Sequence, residues 1–236
     1  MSGPVDRRTQ RLGALKDAHR GQRCVLVANG PSLNRMDLSF LRHEHVIGLN
    51  KIYLGIRRFG FYPRYFVAIN PKVLAQGAAQ IRAMSCVKFL GSHATAAGLS
   101  EDSLTYLLNT NEPPERFSRD LARGLHEGWT VTYAALQVAW YLGFQEVVLI
   151  GLDHRYQFTG QPNAAQVIDG PDPNHFSEAY FGGGQAWDTP DLAHSEESYR
   201  IAREVFAASG RRIVDATLGG ACTVFDKAHY QDHFNH

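Results

Sequence analysis

The chain has 236 residues, 44% hydrophobic, 20% charged and 11% aromatic, enough to bury a proper core without disulfide or metal staples. Lys and Arg number 24 against 23 Asp and Glu, a net charge of +1, so the electrostatic footprint of a nucleic-acid binder is missing and small molecules are the better expectation. Cys24, Cys86 and Cys222 form no CxxC pair, which suits a reducing cytoplasm; residues 1–23 lack an apolar signal core, and no apolar run is long enough for an integral membrane segment.

Residues 11–20 read as a short polar helix stopped by Gly21. Cys24-Val25-Leu26-Val27-Ala28 is then a continuous apolar run between turn residues, the pattern of a strand buried on both faces. It runs into Asn29-Gly30-Pro31-Ser32-Leu33. Residues 38–41 look helical, 46–49 form a second strand ending at Asn50, 65–69 a third ending at Asn70, and 87–90 a fourth. From 132 to 142, Ala135, Val138, Ala139 and Leu142 recur at helical spacing. Gly143 supplies the stop, and Val147-Val148-Leu149-Ile150 is another buried strand. Residues 195–208 form a helix closed by Gly210 and followed by a strand at 213–215. This alternation predicts an α/β fold, Rossmann-like and doubly wound, with a mostly parallel sheet in a single nucleotide-binding domain spanning 1–236. Residues 155–193 interrupt it with Gly, Pro, Asn and Asp and the run Gly182-Gly183-Gly184. Tyr156, Phe158, Phe176, Tyr180, Phe181 and Trp187 mark that segment as a lid-like insertion that packs.

Ligands of open parallel sheets bind beyond the carboxyl ends of the strands, where Asn29, Asn50 and Asn70 stand. Asparagine there offers a donor and an acceptor to a sugar hydroxyl or a base edge, although each is also an ordinary turn residue. The turn at Asn29 lacks the GxGxxG fingerprint. Gly30 permits close backbone approach, Pro31 sets the bend and Ser32 can cap a helix, so its amides either face a phosphate or simply close a tight turn. Thr130 and Thr132 open the 132–142 helix as caps or phosphate contacts. Asp153 and Tyr156 follow the strongest strand and share the same sheet edge. His175 and His194 flank the second half of the lid; a neutral His194, just before the 195–208 helix, can take a proton from an acceptor hydroxyl. Asp169, Asp172 and His175 offer either a hard metal site or solvated turns, and their Gly/Pro-rich setting favours turns.

Val27-Ala28-Asn29-Gly30-Pro31-Ser32-Leu33, Gly48-Leu49-Asn50-Lys51-Ile52-Tyr53 and Gly143-Phe144-Gln145-Glu146-Val147 through Ile150-Gly151-Leu152-Asp153 resemble the bacterial sialyltransferases of glycosyltransferase family 42. They resemble still more closely the DUF115 group, which includes methanogen 6-hydroxymethylpterin diphosphokinase-like proteins and parts of flagellin-glycosylating motility accessory factors. That likeness extends to Asn174-His175-Phe176, Tyr180-Phe181-Gly182 and Asp215-Ala216-Thr217-Leu218-Gly219-Gly220, nearly the whole chain from Gly21 onward. It implies a GT-A-like variant of the Rossmann architecture. In the sialyltransferases, asparagines matching Asn29, Asn50 and Asn70 contact CMP and its sugar, and a threonine matching Thr130 precedes the long helix. A tyrosine matching Tyr156 stabilises the leaving phosphate, and a His-Ser pair matching His194-Ser195 supplies the general base. Their serine after the threonine is Val131 here, and their arginine upstream is Gly128. Many DUF115 members carry Asp where this chain has Asn70.

The resemblance implies transfer of a nonulosonate-like sugar from a CMP donor to a hydroxyl of a glycan or glycolipid acceptor. Asn29, Gly30, Pro31, Ser32, Asn50, Asn70, Thr130, Thr132, Asp153, Tyr180 and His175 form the binding set, with Tyr156 and His194 catalytic and no cofactor or metal. One alternative is a diphosphokinase using ATP and Mg²⁺ on a pterin alcohol, with Asp153, Asp169 and Asp172 as the nearby carboxylates. Another is a nucleotide-binding module without turnover. The expected setting is the cytoplasm, with no nucleic-acid partner and a homo-oligomer left open.

Overall fold

The computed structural model describes residues 7–110 and 116–234. Residues 1–6, in the polar N-terminal stretch, and residues 111–115 and 235–236, in the expected domain span, lie outside the described residues. Ten strands run in chain order as β1 (Arg23–Val27), β2 (Val46–Leu49), β3 (Tyr65–Ala68), β4 (Val87–Gly91), β5 (Thr105–Leu108), β6 (Glu146–Ile150), β7 (Ala165–Ile168), β8 (Gln185–Asp188), β9 (Arg212–Asp215) and β10 (Asp226–Lys227). The helices are α1 (Arg7–Leu15), α2 (Ile56–Phe59), α3 (Pro71–Ala83), α4 (Val131–Leu142), α5 (Leu192–Ala208) and α6 (Tyr230–Phe234).

Eight strands form one sheet in the order β10-β9-β6-β1-β2-β3-β4-β5, every neighbouring pair parallel. The period of two in a strand explains the apolar runs. Cys24 and Leu26 face one core with α1, α4 and α5, whereas Val25 and Val27 face a second core with α3 and the lid. Val147 and Leu149 of β6 face the first core, and Val148 and Ile150 the second. α4 is buried around nearly its whole circumference, as its all-round apolar sequence requires. Gly143 follows it at φ 92, a left-handed conformation that passes the chain into β6.

The lid packs as its aromatics predict: Phe176, Tyr180, Phe181 and Trp187 join the second core. It contains the antiparallel hairpin β7–β8. Three polar side chains tie that hairpin to the sheet. Lys72 on α3 pairs with Asp188, Gln76 Nε2 donates to Ala186 O at 2.7 Å, and buried Lys51 Nζ donates to Gln76 Oε1 (2.8 Å), Gln185 Oε1 (2.7 Å) and the Tyr180 carbonyl.

Two expected elements moved. The N-terminal helix is Arg7–Leu15 rather than 11–20, because the amides of Asp17 and His19 bond Tyr141 O and Leu142 O at the end of α4. The helix after the lid starts at Leu192, so His194 lies inside its first turn rather than before it. No helix among the described residues is long and apolar enough to cross a membrane.

Candidate active site

β1 sits where the winding of the sheet reverses: β2 to β5 extend to one side, and β6, β9 and β10 to the other. A parallel sheet opens a crevice at such a switch point. The crevice here is closed at its base by a clamp between two strand ends. Ser32 donates its amide to Asp153 Oδ1 (3.0 Å) and its hydroxyl to Asp153 Oδ2 (2.6 Å), while Gly30 N donates to Gly151 O (2.9 Å). A Cβ on Gly30 would overlap the Asp153 carboxylate and come within 2.7 Å of Gly151 O, so only glycine fits. Burial pushes the Asp153 pKa up, with the Ser32 hydrogen bonds pulling the other way. This corrects one reading of the turn. The Ser32 amide and hydroxyl point at a carboxylate of the protein, and neither Pro31 nor Ser32 lines the cavity.

The cavity above the clamp has a volume of about 340 Å³ and gathers Asn29, Gly30, Asn50, Asn70, Thr130, Thr132, Asp153, Tyr156, His175 and Tyr180 on its walls. The three asparagines are not equivalent. Asn29 Nδ2 donates to Leu49 O at 3.1 Å, which fixes the amide and leaves Oδ1 buried without a partner. Asn50, at φ 48, likewise has a buried Oδ1 with no partner. A buried acceptor left open is unfavourable by roughly 1–3 kcal/mol, so both await a donor from a ligand. Asn70 is instead the N-cap of α3, its Oδ1 accepting from Lys72 N (2.9 Å) and Val73 N (3.2 Å).

The N-terminus of α4 opens into the same space through Thr130, Val131 and Thr132. Thr130 is its N-cap, accepting from Thr132 N at 3.3 Å, and its hydroxyl lies 3.4 Å from that of Tyr199 on α5. The helix dipole makes this end attractive to an anion. Burial, chiefly, pushes the Tyr156 pKa up to about 12, so the phenol is a proton donor at neutral pH. Tyr180 is a wall rather than a free donor: its ring stacks on His175 at 3.8 Å and its hydroxyl accepts from the Lys51 amide at 3.4 Å. His175 is held in turn by Asp172 Oδ2 at 2.8 Å. Asp172 also accepts from Asn174 N (2.8 Å) and Phe181 N (3.0 Å), which knots the lid.

His194 is not itself among the residues of the cavity wall; it stands beside that wall, half exposed, with its ring 4.7 Å from that of Trp129, which does line the cavity. Asp191 organises it. Oδ1 caps α5 by accepting from His194 N (3.1 Å), and Oδ2 accepts from His194 Nδ1 (2.7 Å). Nδ1 therefore carries the hydrogen, and Nε2 is the nitrogen left to act as base. The Asp191 hydrogen bond, foremost, raises the His194 pKa above 6.5. The dyad adjoins the anion end of α4 through two contacts in succession, Trp129 on His194 and Thr130 on Tyr199.

No Lys or Arg lies among the lining residues, which include the carboxylates Glu127, Asp153, Asp188 and Asp191. Asp169 is absent from the wall, so the expected trio of Asp153, Asp169 and Asp172 does not converge.

The sequence profile of the family described as 6-hydroxymethylpterin diphosphokinase MptE-like matches residues 6–159. The chain belongs to this family. No curated protein matches it. Among solved structures it is similar to the MAf glycosyltransferase from Magnetospirillum magneticum AMB-1, at 15% sequence identity and a TM-score of 0.54, over 95% of this chain. The chain spans 38% of that protein's length, and the likeness is one of fold. Within this MptE-like chain, strained backbone gathers at the cavity. Among the described residues, five non-glycine residues have positive φ, and four of them line it: Asn50 (48), Trp129 (66), His154 (51) and Asn163 (61). Such strain clusters at functional sites. Sequence reading missed Trp129, Asp191 and His154 as site residues. Asp191, following Pro190 and opening a helix, carried a legible capping signal; the other two carried none.

Proposed function

We propose that this chain is a metal-independent glycosyltransferase moving a sialic-acid-like (nonulosonate) sugar from a CMP donor to a hydroxyl of a glycan or glycolipid. One observation carries the reading: the N-terminus of α4 and Asp191, the partner of His194, line one cavity whose lining holds no Lys or Arg. A CMP-linked nonulosonate carries two separated negative charges, one on its single phosphate and one on the sugar carboxylate, and a helix dipole with threonine hydroxyls can hold the phosphate. ATP carries about four negative charges and needs cations around its phosphates. The family's diphosphokinase chemistry would call for a divalent cation, and the carboxylates do not fit one. Asp153 is bonded twice by Ser32, and Asp172 receives three hydrogen bonds of its own. Among the described residues no group of three His, Cys, Asp or Glu could hold a metal ion.

In the transfer step, His194 Nε2 takes the proton of the acceptor hydroxyl as its oxygen bonds the anomeric carbon. The bond from that carbon to the phosphate oxygen breaks, and CMP departs with the electron pair. Tyr156, kept protonated by burial, donates to the phosphate, with Thr130, Thr132 and the α4 dipole beside it. Pre-placed donors of this kind are worth about 2–4 kcal/mol each in the transition state. The open Oδ1 atoms of Asn29 and Asn50 accept from hydroxyl or amino groups of the nucleotide sugar. Asp191 positions the base and does not touch the substrate.

The family description favours a second reading, diphosphate transfer from ATP to a pterin alcohol. A thermal-shift panel of CMP, CDP, UDP, GDP, ATP and SAM, each with and without Mg²⁺, separates the two. At about 100 times its Kd a ligand of the folded state adds about 2.7 kcal/mol, which for a chain of this size is a rise of roughly 5–10 °C. CMP is expected to give that rise without Mg²⁺. A rise with ATP and Mg²⁺ alone would replace the first reading by the second, and none with any nucleotide would refute both.

A further inference from the structure

The cavity mouth carries a feature that the transfer step leaves unused. Trp129 is 57% exposed, the highest value among the exposed large hydrophobic residues described, and it is held at φ 66, where a bulky side chain is rare. It immediately precedes Thr130, the N-cap of α4, so the start of α4 dictates where the indole stands. One side of the indole meets the His194 ring, centroids 4.7 Å apart and planes inclined by 31°; the rest is open to solvent.

We propose that Trp129 is the platform of the acceptor subsite, and that it binds a neutral hexopyranose ring by the C–H face. This deepens the transfer reading and, for the catalytic step, rests on it. The argument is chemical. A pyranose has a face of axial C–H groups that gains dispersion and sheds water against a flat aromatic, and indole offers the largest such surface. The hydroxyl that attacks has to reach His194 Nε2, so the ring lying against the indole is the acceptor's and not the donor's base. Charge narrows the class. Glu127 lines the cavity on the same loop and Asp191 lies behind His194, with no Lys or Arg in the lining. A neutral acceptor ring meets hydrogen-bond acceptors there, whereas an acidic acceptor would bring a further negative charge beside the carboxylate of the donor.

The test has a binding arm and a kinetic arm. In the binding arm the indole N–H signals of the three tryptophans are followed by NMR in the full chain, with Trp129 assigned from Trp129→Phe. Methyl β-galactoside and methyl β-glucoside are titrated in, with sorbitol and CMP as controls. A saturable shift confined to Trp129 with either glycoside supports the platform. No shift, an equal shift with acyclic sorbitol, or a shift with CMP alone overturns it. In the kinetic arm, Trp129→Ala is expected to raise the acceptor KM about tenfold or more, while the donor KM moves by less than roughly threefold. Trp129→Phe is expected to recover most of the loss. An unchanged acceptor KM overturns the proposal. A wild-type protein that transfers from no CMP-sugar refutes the donor reading instead, and the titration still decides whether Trp129 binds a pyranose.

Discussion

Replacing Asp191 by Asn changes one atom and separates folding from proton positioning. In the wild type both carboxylate oxygens accept: Oδ1 from His194 N, and Oδ2 from His194 Nδ1 (2.7 Å) and Asn163 Nδ2 (3.2 Å). An asparagine has one oxygen and one amino group for the same three donors. With the oxygen on the backbone amide, α5 keeps its cap, since Asn caps as well as Asp. The new amino group then faces His194 Nδ1, which must give up its hydrogen, and Nε2 becomes the protonated nitrogen. The base is therefore in the wrong tautomer for part of the population. In a buried triad the same change costs about 10⁴ in rate. Here the imidazole is half exposed and can retautomerise through water, so the expected loss is smaller, roughly 10- to 100-fold in kcat, the low end of general-base help. The pH profile adds a second readout. His194 must be neutral to act, and the Asp191 hydrogen bond raises its pKa above 6.5, so the wild-type rate climbs with pH through a midpoint above that value. Asp191→Asn removes the cause and brings the midpoint down toward about 6.5. The assay is transfer from CMP-sugar at saturating substrates between about pH 5 and 9, with thermal melts to check that the cap survives. A variant that melts like wild type and keeps both kcat and midpoint would refute the assignment of His194 as base.

Gly30→Ala drives a methyl into the Asp153 carboxylate, breaking the Ser32 clamp, and is expected to destabilise by about 2–4 kcal/mol in urea unfolding; a loss below 1 would mean the clamp gives way easily. Asn29→Asp places a carboxylate oxygen against Leu49 O in a buried position and is expected to lower stability by roughly 2–4 kcal/mol, while Asn70→Asp, which keeps its cap, changes it by less than about 1. His194→Ala is expected to reduce transfer by roughly 10²- to 10⁴-fold with melting nearly unchanged, and full retained activity would remove it from the mechanism. Burial, chiefly, lowers the pKa of both His19 and His45, so the unfolded chain binds more protons than the fold between those values and 6.5. Their contribution is therefore complete above 6.5 and lost as pH falls through the depressed values, and denaturant titrations from pH 7.5 to 5.5 are expected to show wild type weakening more than the His19→Gln/His45→Gln double variant.

The strands that were legible in the sequence are those whose apolar runs answer to two cores at once, such as β1 and β6. The period of two and the turn residues at their ends leave little choice. β5, Thr105–Leu108, alternates in the same way, with Tyr106 and Leu108 in the first core and Leu107 against the second, yet it escaped notice at the edge of the sheet. The helix expected at 38–41 is a 3₁₀ turn at Ser39–His43, a single short turn in which only Leu41 is fully buried and Phe40 packs partly, too little to sustain an α-helix. α3 was readable from Asn70 and Pro71, a cap followed by proline at the first helical position, yet a strand-end asparagine draws attention to ligands before caps. At the site, the strand-end residues Asn29, Asn50 and Asn70 come together on one cavity wall, since topology alone puts them there. What they could not reveal is which polar groups the protein uses on itself. Ser32 and Asp153 are as polar in sequence as Asn29 and Asn50, and only their pairing across the switch point separates a closed clamp from an open acceptor.

The distribution of charge around the cavity follows from how the lid is held. Lys51 follows Asn50 at the end of β2, one residue from a ligand-facing position, and an ammonium directed into the cavity there would favour polyphosphates. Instead its three protons go to Gln76, Gln185 and the Tyr180 carbonyl, and the nitrogen lies 4.5 Å from the centre of the Phe181 ring. Burial lowers its pKa to about 8, with the charge of Asp172 pulling the other way. Lys72 is likewise turned onto Asp188 of the hairpin. Both lysines thus fasten the lid, and among the lining residues the attraction left for an anion is that of a helix end and a few hydroxyls. On the proposed reading that attraction suits the single phosphate of a CMP-linked sugar better than the three of a nucleoside triphosphate, and the two lysines that fasten the lid are thereby withheld from the cavity.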